Sequence, residues 1–79
     1  MNLHDILDER QDQYGDALKN FRNIGVMWGV LLGLSEPVSP YKVAQMMIAL
    51  KLQRISANPD YEDSWLDIQG YAQHGLDSL

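Results

Sequence analysis

Apolar residues recur along this chain at helical spacing in four stretches, separated by glycine, proline and asparagine. The third stretch, residues 39–57, is the most apolar. With successive residues placed 100° apart, Val43, Met46, Met47 and Leu50 form one apolar arc, and Ala44, Ile48, Leu52 and Ile55 form another. Only Lys42, Gln45, Ala49 and Gln53 are left as a strip for water. A helix apolar around most of its circumference belongs at the centre of its domain. Ser39 is placed to cap it, and Pro40 fits its first turn. Lys51 and Arg54 fall inside the apolar arcs, so each cation needs a partner or a ligand.

The other stretches predict three more helices. Over residues 2–14, Leu3, Ile6, Leu7 and Tyr14 share a face, and Asp5, Asp8, Glu9 and Asp12 cover the other side. Gly15 is expected to break this helix and Asp16 to cap the next, over residues 16–33. That second helix carries a core stripe of Ala17, Phe21, Ile24, Trp28 and Leu31. Val26 and Val30 lie on a different face, beside Gly25, Gly29 and Gly33 at four-residue spacing. The glycines let another backbone approach closely. That backbone is either a helix of the same chain or a second subunit meeting Gly25, Val26, Gly29 and Val30. Pro37 and Pro40 make residues 33–40 a connector, and Asn58-Pro59 marks a second turn. The last helix, residues 60–77, has Glu62 and Asp63 in its first turn, which suits the dipole. Trp65, Ile68, Ala72 and Leu76 would face the core, with Tyr71 at the edge. There is no strand signal and no internal repeat. The expected fold is all-α, a compact bundle of four helices in one domain, 1–79.

Composition sharpens this picture. A chain of 79 residues buries only about 60% of its unfolded surface and has no cysteine to staple it. With 46% apolar residues it should fold, and a homo-oligomer is the expected source of extra support. The net charge of −5 argues against nucleic-acid binding. The longest apolar run is too short to span a bilayer, and the first residues lack the form of a secretory signal. A cytoplasmic location is expected.

Candidate chemistry is sparse. Asp63, Asp67, Gly70 and His74 share one face of the last helix. Asp63 and Asp67, a turn apart, could hold one hard cation, pair with Lys51 and Arg54, or face water. Lys51–Asp67 and Arg54–Asp63 are the natural pairs. Alternatively Lys51 and Arg54 form a pocket for a phosphate or carboxylate, with Tyr14 and Trp28 as stacking surfaces. Only His4 and His74 are present as histidines, and no serine stands at a suggestive spacing from either. No phosphate loop is present.

The sequence words Glu9-Arg10, Tyr14-Gly15-Asp16, Asn20-Phe21 and Trp28 are followed by Val43-Ala44, Met46-Met47, Leu50-Lys51 and Arg54, then by Asp63, Trp65, Asp67 and Gly70-Tyr71-Ala72. In this order they resemble a family of small bacteriophage and prophage proteins of unknown function, over nearly the whole chain. The resemblance implies phage origin and residence in the host cytoplasm. The polar members of the pattern are Tyr14, Asp16, Asn20, Lys51, Arg54, Asp63 and Asp67. A bundle that gathered them into a cleft would make a ligand site. A more distant similarity is to the MazG-like nucleotide pyrophosphohydrolases, in which carboxylates at three- and four-residue spacing load magnesium. Here the first helix carries mostly aspartate, and the central helix has Lys51 and Arg54 where an acidic pair would stand. The leading expectation is a non-catalytic phage accessory protein that binds a host protein or a small anionic, nucleotide-like ligand, with counter-defence as one use of such binding. A magnesium-dependent hydrolase and a purely structural oligomer are the alternatives. No cofactor is expected outside the hydrolase alternative.

Overall fold

The computed structural model describes the backbone of residues 3–79 and the side chains of residues 17–79. It is all-helical, with α1 at Leu3–Leu31, α2 at Pro40–Ala57 and α3 at Glu62–Asp77. Among the described residues there are three helices, not four. The two expected over residues 2–14 and 16–33 are one continuous rod that runs through Gly15. A glycine inside a helix costs about 1 kcal/mol relative to alanine but removes no hydrogen bond. The first proline in the chain is Pro37, so nothing in the first 36 residues forces a break. Asp16 is therefore an interior residue of α1 and not a cap.

The rod ends through glycine chemistry at Gly33, which has φ +69°. The Gly33 N–H donates to the Val30 carbonyl at 3.1 Å, and the Leu34 N–H donates to the Gly29 carbonyl at 2.9 Å. This pair of bonds is the Schellman arrangement, and it needs a left-handed residue at that position. The connector then folds back along α1. The Val38 N–H donates to the Gly25 carbonyl at 3.0 Å, and Val38 itself is buried. Gly25 and Gly29 allow this approach. A methyl group on Gly25 would overlap the Val38 carbonyl oxygen, and one on Gly29 would lie 3.0 Å from the Glu36 carbonyl oxygen. The glycine row thus serves close packing within the chain, against the connector and not against a helix.

Helix α2 starts at Pro40 after Ser39, as expected, although the Ser39 hydroxyl makes no capping bond. Val43 and Ala44 are fully buried, and Met47, Ile48, Lys51 and Ile55 continue that face at intermediate exposure. The two apolar arcs expected for this helix reduce to one. Met46, Leu50 and Leu52 stand largely in solvent, because two neighbouring helices cannot wrap all of it. The helix stops at Asn58, whose N–H donates to the Arg54 carbonyl at 2.9 Å. The turn that follows is held by the Trp65 indole N–H, which donates to the Pro59 carbonyl at 3.0 Å.

Helix α3 packs mainly along α2, and α1 makes less contact with either. Its buried face differs from the expected one. Trp65, Ala72 and Leu76 are exposed, and only Ile68 of that stripe is partly covered. The face against α2 carries Ser64, 1% exposed, with Ile68, Tyr71 and Gly75. Small residues decide this rotation. A methyl on Gly75 would sit 3.2 Å from the Ala44 methyl, so the rods approach closely where Gly75 and Ala44 meet. The buried core is Phe21, Val38, Val43 and Ala44, with Ile24, Trp28, Met47 and Tyr71 packed on it. The molecule is elongated, 46 × 31 × 18 Å. No helix among the described residues is long and apolar enough to cross a membrane.

Candidate functional site

Position 51 lies one turn beyond Met47 and Ile48 on the packed face of α2, so its side chain runs between the helices before reaching water. Lys51 is 12% exposed at the side chain, and its Nζ lies 2.7 Å from an Asp67 carboxylate oxygen. Asp67, on α3, is 44% exposed at the side chain. The pair is therefore lopsided, with a nearly buried cation answered by a half-hydrated anion. Such a bond fixes how α2 and α3 register more than it stabilises them.

The rest of the expected polar set does not gather here. Arg54 and Asp63 are both exposed, and no ion pair joins them among the described residues. Arg54 is thus exposed although its angle falls between Val43 and Met47, because it stands in the last turn of α2. Asn20 is exposed on α1. Tyr14 and Asp16 lie outside the residues whose side chains are described, as do Asp5, Asp8, Glu9 and Asp12. Trp28 packs against the core at intermediate exposure. Of the five whose side chains are described, Lys51 and Asp67 are the two that the structure joins.

For a cation, Asp67 already has an ammonium on its carboxylate. Among the described residues no group of three or more histidine, aspartate or glutamate side chains is placed to hold a metal ion. Gly70, next along that face, has open space where a side chain would be. His74 packs edge-on against Phe21, with ring centroids 5.5 Å apart at 83°. Burial pushes its imidazole pKa below the usual histidine value. Tyr71 also packs on Phe21, at 6.0 Å. His74 is therefore part of the packing between α3 and α1.

The larger feature is apolar, and the sequence reading assigned much of it to the core. An open groove of about 350 Å³ runs between α2 and α3, lined by Tyr41, Ala44, Gln45, Ile48, Tyr71, Ala72, Gly75, Leu76 and Leu79. At the far end of α1, Val26, Met27, Val30 and Leu31 line a hollow of about 300 Å³. Of the four expected interface residues, Gly25 and Gly29 are covered by the connector, whereas Val26 and Val30 remain in solvent. Met27 and Leu31 were not expected there. The signal that marks them is the absence of any ionisable residue from 23 to 35.

The chain belongs to the DUF6378 family, a domain of unknown function, whose model matches residues 3–77. It is 41% identical over 67 residues to the "Gene 55 protein" of Mycobacterium phage L5, covering 85% of this chain and 42% of that protein. It is 33% identical over 67 residues to the "Gene 55 protein" of Mycobacterium phage D29, covering 85% and 43%. The chain therefore spans about two fifths of the length of these relatives. No solved structure matches it significantly. A phage domain family of unknown function is what the order of its sequence words pointed to.

Proposed function

We propose that this chain is a non-catalytic interaction module of a phage accessory protein, working through apolar surface pressed against protein. The observation that carries this reading is the extent of uncovered hydrophobic side chain. Large apolar residues stand between 40% (Met46) and 86% (Leu79) exposed on all three helices and the connector. This many uncovered apolar side chains, with an apolar groove between α2 and α3, support an interaction surface. A small anionic ligand is less well served. Lys51 already has Asp67 on its ammonium, and a phosphate would have to displace that carboxylate against a net charge of −5. A host protein is the partner class that suits the reading, and interference with a defence system is one use of such binding.

The test is a photo-crosslinking amino acid placed at Leu76, in the α2/α3 groove, within cells producing the phage protein. A discrete crosslinked species that disappears with Ala72→Glu is expected. In parallel, nucleotides with and without magnesium should leave the melting temperature unchanged and release no phosphate. Magnesium-dependent phosphate release would refute the proposal and favour the hydrolase.

A further inference from the structure

We infer that the C-terminal end of α1 is a self-association face that takes a second copy of this chain, built on Val26, Met27, Val30 and Leu31. This deepens the interaction-module reading by naming one partner, and it rests on that reading only for the premise that the uncovered apolar surface is buried in use.

The first argument is area. A compactly folded chain of 9.0 kDa should expose about 4,900 Å². This chain exposes 6053 Å². The excess, about 1,200 Å² on that scaling, is that of the whole elongated molecule, and this face of α1 contributes to it with Val26 50% and Met27 56% exposed. Val30 is 75% exposed and Leu31 80%, the highest values among the large apolar side chains described within the three helices.

The second argument is charge. The chain carries −5 overall, so two copies repel wherever their acidic faces meet. Residues 23–35 contain no ionisable side chain, and this end of α1 lets two copies meet without opposing like charges. An uncharged surface cannot select a partner by sign. It selects by shape.

The third argument is shape. The four side chains form two pairs spaced four residues apart, so they lie along one strip of the rod. They line a hollow of about 300 Å³, and a second hollow of about 230 Å³ opens beside Leu31 between Trp28 and Met46. A two-fold contact requires one patch to complement itself, and this patch offers both projecting side chains and hollows to receive them. The glycines beside it do not take part, because the connector covers them.

The experiment is light scattering after gel filtration, over a concentration series, on the chain and its Val30→Glu and Leu76→Glu variants. The expected mass is about twice 9.0 kDa for the parent chain and for Leu76→Glu. Val30→Glu should run as a monomer with unchanged helix content, its dissociation constant raised about thirtyfold or more, as for a residue at the centre of an interface. Because the chain lacks cysteine, Met27→Cys supplies a single thiol and a check that does not depend on a disruptive charge. Its oxidation should trap a covalent dimer faster than that of Leu76→Cys. A parent chain that is monomeric throughout overturns the inference. So does a dimer that survives Val30→Glu, or equal crosslinking from both cysteines. A monomer that still crosslinks to another protein through the α2/α3 groove would remove the second copy and leave the interaction-module reading intact.

Discussion

Removing either partner of the Lys51–Asp67 pair should have unequal consequences, and the inequality follows from their exposures. At 2.7 Å the attraction is substantial only where water is excluded. Asp67 is 44% exposed, so in Lys51→Met its carboxylate recovers hydration. The methionine keeps most of the apolar length that Lys51 lays between α2 and α3. The expected cost is within about 1 kcal/mol, the range of solvent-screened pairs. Asp67→Ala is different. It leaves an ammonium that is only 12% exposed without its carboxylate, and a stranded, mostly desolvated donor costs about 1–3 kcal/mol. For a domain of this size about 1 kcal/mol moves the melting temperature by roughly 4–8 °C. The two variants should therefore separate clearly in a thermal or urea titration followed by circular dichroism at one protein concentration. The double variant should resemble Lys51→Met more than the sum of the single changes. Equal losses, or a loss of several kcal/mol in Lys51→Met, would mean that Asp67 is far more secluded than its exposure indicates, and the reasoning would fail.

Gly25→Ala should destabilise by about 2–4 kcal/mol, since its methyl meets the Val38 carbonyl oxygen and forces the connector off α1; urea midpoints measure this. Gly70→Ala meets open space and should stabilise by up to about 1 kcal/mol, an increase the same titration would show. Gly33→Ala should cost about 1 kcal/mol, because alanine resists φ +69° even with room around it. His74 has its pKa lowered by burial, so the unfolded chain takes up the proton first. Its contribution to stability is complete above about pH 6.5 and falls as pH drops from there towards the lower folded value. His74→Gln should flatten the stability profile across that window, and an unchanged slope would contradict the assignment.

Chain punctuation was legible in the sequence wherever its chemistry is absolute. Pro40 opens α2, and Asn58-Pro59 separates α2 from α3. Gly15 misled because its preference is only about 1 kcal/mol, easily outweighed by continuous hydrogen bonding along α1. Lys51 was legible as a cation on a packed face, since its angle falls between Met47 and Ile55. Arg54, three residues on, falls at an angle between Val43 and Met47 but in the last turn of α2, and angle alone cannot say how far along a rod its cover extends. The buried face of α3 was not legible, because Ser64 and Gly75 occupy it and neither registers as hydrophobic. Periodicity reports which side chains require cover. It is silent on what supplies it. Met46 and Leu50 on α2, and Trp65, Ala72 and Leu76 on α3, were read as interior because they are apolar at helical spacing, and a single copy leaves them in water. These apolar residues found outside come, on α3, with Ser64 buried and Gly75 and His74 partly covered, so that helix is rotated from the expected phase. On α2 the phase held: among the described residues Lys51 is covered where the pattern put it, with Asp67 opposite. The pattern is therefore sound on the face of α2 that meets α3, whereas on α3 the small residues Ser64 and Gly75, and not the apolar stripe, mark the face that packs.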